Sequence, residues 1–183
     1  MLTVYSEDHR QHDSKYEIYG GEMVPPHEMP RRMDMVLGRL KSENFGEIIE
    51  PEDFGMDAIR RIHDADYLTF LETIWAEWNA SGYKGDVIPT VWPSRRVNNL
   101  NHMPDFPEGK AGYYALSSET SINKGTWPAA YTSAQVALTA YKIVADGARS
   151  AFGLCRPPGH HAAADMYGGY CFLNNAAIVA QKF

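Results

Sequence analysis

Cysteine is scarce in this chain: 183 residues contain two, Cys155 and Cys171. They form no Cys-x-x-Cys pair, which argues against a thiolate zinc site. Both sit in apolar settings, Gly-Leu-Cys and Tyr-Cys-Phe, and are expected to be reduced, buried thiols. A basic excess is also missing, because 17 Lys and Arg face 23 Asp and Glu for a formal net charge of −6. A phosphate backbone needs clustered cations, so no nucleic-acid partner is expected. A cationic small molecule suits the balance better. No apolar run approaches the ~20 residues that span a bilayer. The opening Met-Leu-Thr-Val-Tyr-Ser lacks the basic and apolar regions of a signal peptide. The expectation is a cytoplasmic protein with no membrane partner. Repeats and low-complexity tracts are absent too.

What is present is ordinary globular composition, 44% hydrophobic and 22% charged. The length suits one domain with a real core. Leu2 to Tyr5 reads as a strand, and residues 6 to 29 read as a long ordered loop. Pro30 opens a helix in which Met33, Val36, Leu37 and Leu40 recur at helical spacing. Phe45 to Glu50 is a second strand candidate, and a short helix follows from Asp57 to Ile62. A stronger helix spans Asp64 to Asn79, where Tyr67, Leu68, Leu71, Ile74, Trp75 and Trp78 make one apolar stripe. Residues 84–112 show no periodicity and carry four prolines, which predicts an irregular insertion: a lid, a substrate wall or a subunit contact.

Thr126 is expected to cap the next helix, with Pro128 in its first turn and Gly147 past its end. Its face of Ala130, Ser133, Ala134, Ala137 and Ala140 would lie close on a sheet. Ser150 to Cys155 reads as a strand buried on both faces, and Leu173 onward begins another helix. Strands alternating with helices predict an α/β fold with a parallel sheet. In such sheets ligands bind at the carboxyl ends of strands.

Arg156-Pro157-Pro158-Gly159-His160-His161 occupies that position. The prolines remove backbone freedom and the glycine allows a tight turn, so the imidazoles are held in place after a buried strand. Histidine titrates near neutral pH, so fixed imidazoles suit proton transfer. Structural histidines and metal ligation remain open readings, although adjacent residues on an extended loop diverge and chelate poorly. The isolated His9, His12, His27, His63 and His102 are expected to be surface or hydrogen-bonding residues.

This segment, followed by Gly168-Gly169-Tyr170-Cys171-Phe172-Leu173-Asn174-Asn175-Ala176-Ala177, closely resembles the histone deacetylase family of the arginase/deacetylase superfamily. Residues 16 to 28 (Tyr-Glu-Ile-Tyr-Gly-Gly-Glu-Met-Val-Pro-Pro-His-Glu) resemble its acetylpolyamine amidohydrolase branch. So do Phe70-Leu71-Glu72-Thr73, Gly112-Tyr113-Tyr114 and Glu119-Thr120-Ser121-Ile122 with Gly125-Thr126-Trp127. The resemblance covers essentially the whole chain. It implies an arginase/deacetylase-like three-layer fold and hydrolysis of an acetamide to amine and acetate. Zn²⁺ would be the cofactor, polarising the carbonyl and activating a water.

By the same resemblance His161 would act as general base and acid, with His160 as its electrostatic partner. Gly169 and Tyr170 would line a narrow tunnel. Glu108 and Glu119 would meet the distal ammonium of a small acetylated amine, since a partly desolvated ammonium needs a carboxylate. Insertion 84–112 would shape the tunnel and the contact of a homodimer. Two other readings stand beside this one: an acetyl-lysine protein deacetylase, and a metal-free, non-catalytic fragment. The family's zinc ligands, two aspartates and a histidine, are expected beyond Phe183, and no Asp-x-His occurs in the chain. Gly168-Gly169-Tyr170 belongs to the early segment and is not given the family's oxyanion role. The 183 residues are therefore expected to be the N-terminal part of one domain, inactive and poorly soluble alone.

Overall fold

Three short parallel strands organise the protein, seen in a computed structural model that describes residues 1–92 and 102–182. β1 (Leu2–Val4) lies in the middle, with β4 (Ile48–Ile49) and β5 (Ala151–Gly153) on its two sides. The register pairs Thr3 with Ile48 and with Phe152. Helix α1 (Pro30–Ser42) covers one face of the sheet. Its buried Met33 and Leu37 pack with Tyr5 and Leu154, and Leu40, Ile48 and Phe152 close around them. Helix α5 (Thr126–Ala145) covers the other face, so close that a Cβ placed on Gly153 would lie 3.4 Å from the Ala140 Cβ. Helix, sheet and helix are the three layers that the sequence predicts.

The larger core lies beyond α5. Helices α2 (Asp57–Arg60), α3 (Ala65–Ala80), α4 (Pro107–Tyr113) and α6 (Asn175–Ala180) enclose Tyr67, Phe70, Ile74, Tyr114, Tyr167 and Phe172. The aromatic stripe of α3 is this core, with Trp75 at its margin. Aromatic rings tile it at offset angles, such as Phe70 and Tyr114 with centroids 4.6 Å apart. The buried Tyr67 hydroxyl donates to the Phe172 carbonyl at 2.6 Å, so the ring brings no unsatisfied polar group into the core.

Four local expectations change. Residues 6 to 29 are not a plain loop: a 3-10 turn covers Glu7–Gln11, and β2 (Glu17–Tyr19) pairs antiparallel with β3 (Glu22–Val24). The Gly20-Gly21 turn explains the hairpin, because both residues take positive φ, 60° and 86°, as a two-residue hairpin turn requires. At the end of 84–112, α4 starts at Pro107 and is tied to α3 by Lys110 and Glu77 at 2.7 Å. Two turns are too short to show periodicity. Residues 93–101 of that insertion lie outside the described part. Thr126 does not cap α5, where Gly125 stands at the N-cap. Its hydroxyl instead accepts from the Asn123 N–H at 2.8 Å and meets the His12 ring at 2.9 Å. Finally, β5 is half-buried and not enclosed, because its edge away from β1 has no strand beside it among the described residues.

Candidate functional site

β5 leads through Leu154, Cys155 and Arg156 into Pro157-Pro158-Gly159, and His160 and His161 stand at the end of that turn. Their ring centroids are 4.3 Å apart at 53°, and both residues are exposed. The turn is anchored from below. Arg156 is almost completely buried, and its Nε lies 3.0 and 2.9 Å from the two Glu28 carboxylate oxygens. It also donates to the His9 carbonyl. Burial pulls the Arg156 pKa down and the Glu28 charge opposes that. This ion pair joins the turn after β5 to the entry of α1.

Tyr170 and Gly169 come back over the histidines. Gly169 adopts φ 56°, and a Cβ there would stand 2.5 Å from the His161 Cδ2. Only glycine satisfies both demands, so the His161 side chain packs closely against bare backbone. Tyr170 follows with φ 65°, an uncommon state for an aromatic residue and one that persists only when its surroundings hold it. They do: its N–H donates to the Thr120 hydroxyl at 2.8 Å, and its phenol donates to Glu17 Oε1 at 3.2 Å. Burial first, and the Glu17 carboxylate second, push the Tyr170 phenol up to about 12. Glu119 accepts from the Gly169 N–H at 3.2 Å and from the Ser117 hydroxyl.

A small cavity here is lined by His12, Glu17, Glu28, Glu119, Thr120 and Tyr170. Glu119 has no cationic partner among the described residues, whereas Glu28 has Arg156. Neither histidine of the tandem pair lines the cavity; Gly169 is the link, packed against His161 on one side and bonded to Glu119 through its N–H, with Tyr170 next in the chain and His160 beside His161. Glu108 does not line this cavity. It stands exposed in the first turn of α4, where it accepts a hydrogen bond from the Tyr83 phenol and so raises the Tyr83 pKa.

Sequence reasoning passes over Glu17 and Glu28. The first is buried, holds Tyr170, and accepts the His27 backbone N–H at 3.1 Å. Two acids in a segment already notable for its resemblance were the available signal. The isolated histidines divide. His9, His12 and His63 are buried and hydrogen-bonded, while His27 and His102 are exposed. Burial, then the Arg156 charge, pulls His9 down to about 4 and His12 to about 3. Neutral His63 donates from Nδ1 to the Ala164 carbonyl at 3.2 Å and accepts the Asn174 N–H at Nε2, 2.9 Å. That clamps the loop after the tandem histidines at both ends. Both cysteines are free, Cys171 buried and Cys155 half-buried.

Among the described residues no group of three His, Cys, Asp or Glu side chains is placed to hold a metal ion. Nor is any described helix long and apolar enough to cross a membrane.

A three-layer α/β frame with paired histidines at a strand's carboxyl end is consistent with the arginase/deacetylase-like fold. Within it, the histone deacetylase domain matches residues 26–183, and the chain belongs to that family. All 183 residues align at 54% identity with acetylpolyamine amidohydrolase 1 of Pseudomonas aeruginosa, over 53% of that protein's length. The acetylpolyamine amidohydrolase of Mycoplana ramosa is 47% identical over 182 residues, again 53% of its length. Among solved structures, the acetylpolyamine aminohydrolase of Burkholderia pseudomallei superposes with a TM-score of 0.90 at 36% identity, covering all of this chain and 52% of that one. The chain spans about half the length of the curated relatives it matches.

Proposed function

We propose that this chain supplies the proton-transfer histidines and the substrate wall of an acetylpolyamine amidohydrolase. The observation that carries it is the close packing of Gly169 on the His161 ring at the end of β5, with Glu119 bonded to the Gly169 N–H and Tyr170 next in the chain. The reaction converts an N-acetylated amine and water into the ammonium and acetate. His161 accepts a proton from the attacking water and returns it to the leaving nitrogen, so one imidazole serves both steps. His160, 4.3 Å away, modulates the charge His161 carries in between. Tyr170 presents a rigid ring to the chain of the amine. Glu119, lacking a cationic partner among the described residues, pairs with the distal ammonium. Glu108 would serve the same charge from farther out.

Zn²⁺, which family membership implies, would polarise the acetyl carbonyl. The residues described here do not make its site, so its ligands would come from elsewhere in the working protein. Val91, Trp92, Met103 and Phe106 are exposed on the described parts of 84–112, which supports a homodimer contact there. We place the protein in the cytoplasm, acting on a small cationic substrate rather than on nucleic acid or membrane.

The test is a chimera in which this chain replaces the aligned part of the Pseudomonas aeruginosa relative. It should hydrolyse N-acetylputrescine in preference to an acetyl-lysine peptide. Preference for the peptide would assign the site to a protein deacetylase, and loss of both activities in a folded, zinc-loaded chimera would overturn the reading.

A further inference from the structure

The turn that carries His160 and His161 rests on the backbone of Leu173 to Asn175. Gly159 lies so close there that a Cβ on it would stand 2.5 Å from the Asn175 nitrogen and 2.6 Å from the Leu173 oxygen. Ala162, next after His161, donates its N–H to the Gly159 carbonyl at 3.2 Å and so closes the turn. The Ala162 carbonyl in turn accepts from Asn174 Nδ2 at 2.9 Å. Asn174 also caps α6, its Oδ1 accepting the Ala177 N–H at 3.0 Å. The backbone N–H of Asn174 turns away from both, and donates to His63 Nε2 at 2.9 Å. His63 is buried just ahead of α3, and its Nδ1 donates to the Ala164 carbonyl at 3.2 Å. The Asp64 N–H donates to the same carbonyl at 3.0 Å. A single neutral imidazole therefore bridges residues 164 and 174, the two ends of the loop that carries Gly169 and Tyr170.

We propose that His63 is a positioning residue for His161: through Asn174 it fixes the seat of the histidine turn, and through Ala164 the loop that presses Gly169 onto the His161 side chain. The inference rests on the proton-transfer role proposed for His161. His63 acts at a distance, through backbone, and needs no contact with substrate. Proton transfer requires the base within hydrogen-bond reach of the moving proton, and a misplacement of about 1 Å costs roughly 100-fold in rate. The bridge uses what is particular to a neutral imidazole, a donor and an acceptor on one rigid ring. Asparagine is long enough to replace only the Nδ1 donor, and glutamine extends to the Nε2 acceptor. The other buried histidine rings do not share the task. His9 hydrogen-bonds to Tyr5 and His12 to Thr126, both outside residues 159–175.

The test uses the zinc-loaded chimera with N-acetylputrescine. His63→Asn should lower kcat by about 10- to 100-fold and leave KM within about twofold of the parent. His63→Gln restores the acceptor for Asn174 and should recover most of that loss. Asn174→Ser keeps a helix cap but gives up the Ala162 contact, so it should lower kcat in the same way, and it carries the test if His63→Asn does not fold. Leu40→Ala, at the far end of α1, loosens packing away from the turn and should lower the melting temperature while kcat per zinc-loaded molecule holds. An undiminished kcat in His63→Asn or Asn174→Ser, an equal loss in His63→Gln, an effect on KM alone, or a matching loss in Leu40→Ala would each overturn the proposal. His161→Ala separates the two levels. A full kcat there sinks the reading of His161 and the positioning role with it, whereas a lost kcat there beside a full one in His63→Asn sinks the positioning role alone.

Discussion

Acidification from pH 7 to pH 5 should destabilise the fold through two buried histidines. His9 and His12 titrate near 6.5 when unfolded, but burial and the Arg156 charge hold them at about 4 and about 3 in the folded chain. Both are depressed, so the unfolded state binds more protons throughout this window. Their contribution to stability is complete above the unfolded value and is lost as pH falls toward the folded ones. At pH 5 the unfolded histidine is mostly protonated and the folded one is not, which amounts to about 2 kcal/mol for each and about 4 kcal/mol for the pair. Whole domains are stable by only ~5–15 kcal/mol, so the change is large. His63, also lowered by burial, works in the same direction. The paired carboxylates Glu7, Asp34, Asp53 and Glu77 are held low and matter only below the window, while Asp86, raised by burial, opposes weakly at its acid end. Urea unfolding followed by the fluorescence of the four tryptophans gives the free energy at each pH. His12→Gln, which can still meet Thr126, should remove about half of the dependence. An unfolding free energy that is the same at pH 7 and pH 5, within about 1 kcal/mol, would refute the burial account of these histidines.

Other outcomes are equally definite. Gly169→Ala forces a left-handed backbone on alanine and a Cβ onto the His161 ring, so stability should fall by at least ~1–2 kcal/mol and chimera kcat should drop with it. Arg156→Met strands the buried Glu28 carboxylate and should cost about 3–5 kcal/mol in urea unfolding, more than Arg32→Met, whose guanidinium lies 3.4 Å from the same acid at the surface. Glu119→Gln in the chimera should raise KM for N-acetylputrescine roughly tenfold, matching a lost charged hydrogen bond of about 1.5 kcal/mol, with kcat nearly unchanged. An acetylated amine without a distal ammonium should show no such change.

Long, strongly patterned features were legible in the sequence. The spacing of Met33, Leu37 and Leu40 marks the inner face of α1, although Val36 of the same set is exposed. The small-residue face of α5 was read only in part: Ala140, with Val136, meets β5, whereas Ala130 and Ala134 turn into the larger core. His160 and His161 sit at the strand end where the α/β pattern puts a site. Short elements were not legible. The hairpin depends on two glycines in an otherwise polar stretch, and α4 has too few turns to reveal a period. Long-range polar pairing was hidden for a different reason. Nothing local to Glu28 says that it meets Arg156, nor does anything near Glu17 point to Tyr170. Thr126 shows how a tertiary partner, His12, diverts a residue whose local chemistry suits a helix cap.

The most direct test of the account is the activity of His161→Ala in the zinc-loaded chimera, with N-acetylputrescine as substrate. Loss of a positioned general acid and base predicts a kcat lower by about 10²–10⁴ with KM little changed. A kcat within a few-fold of the parent would contradict the role of His161, and with it the site assembled around that ring.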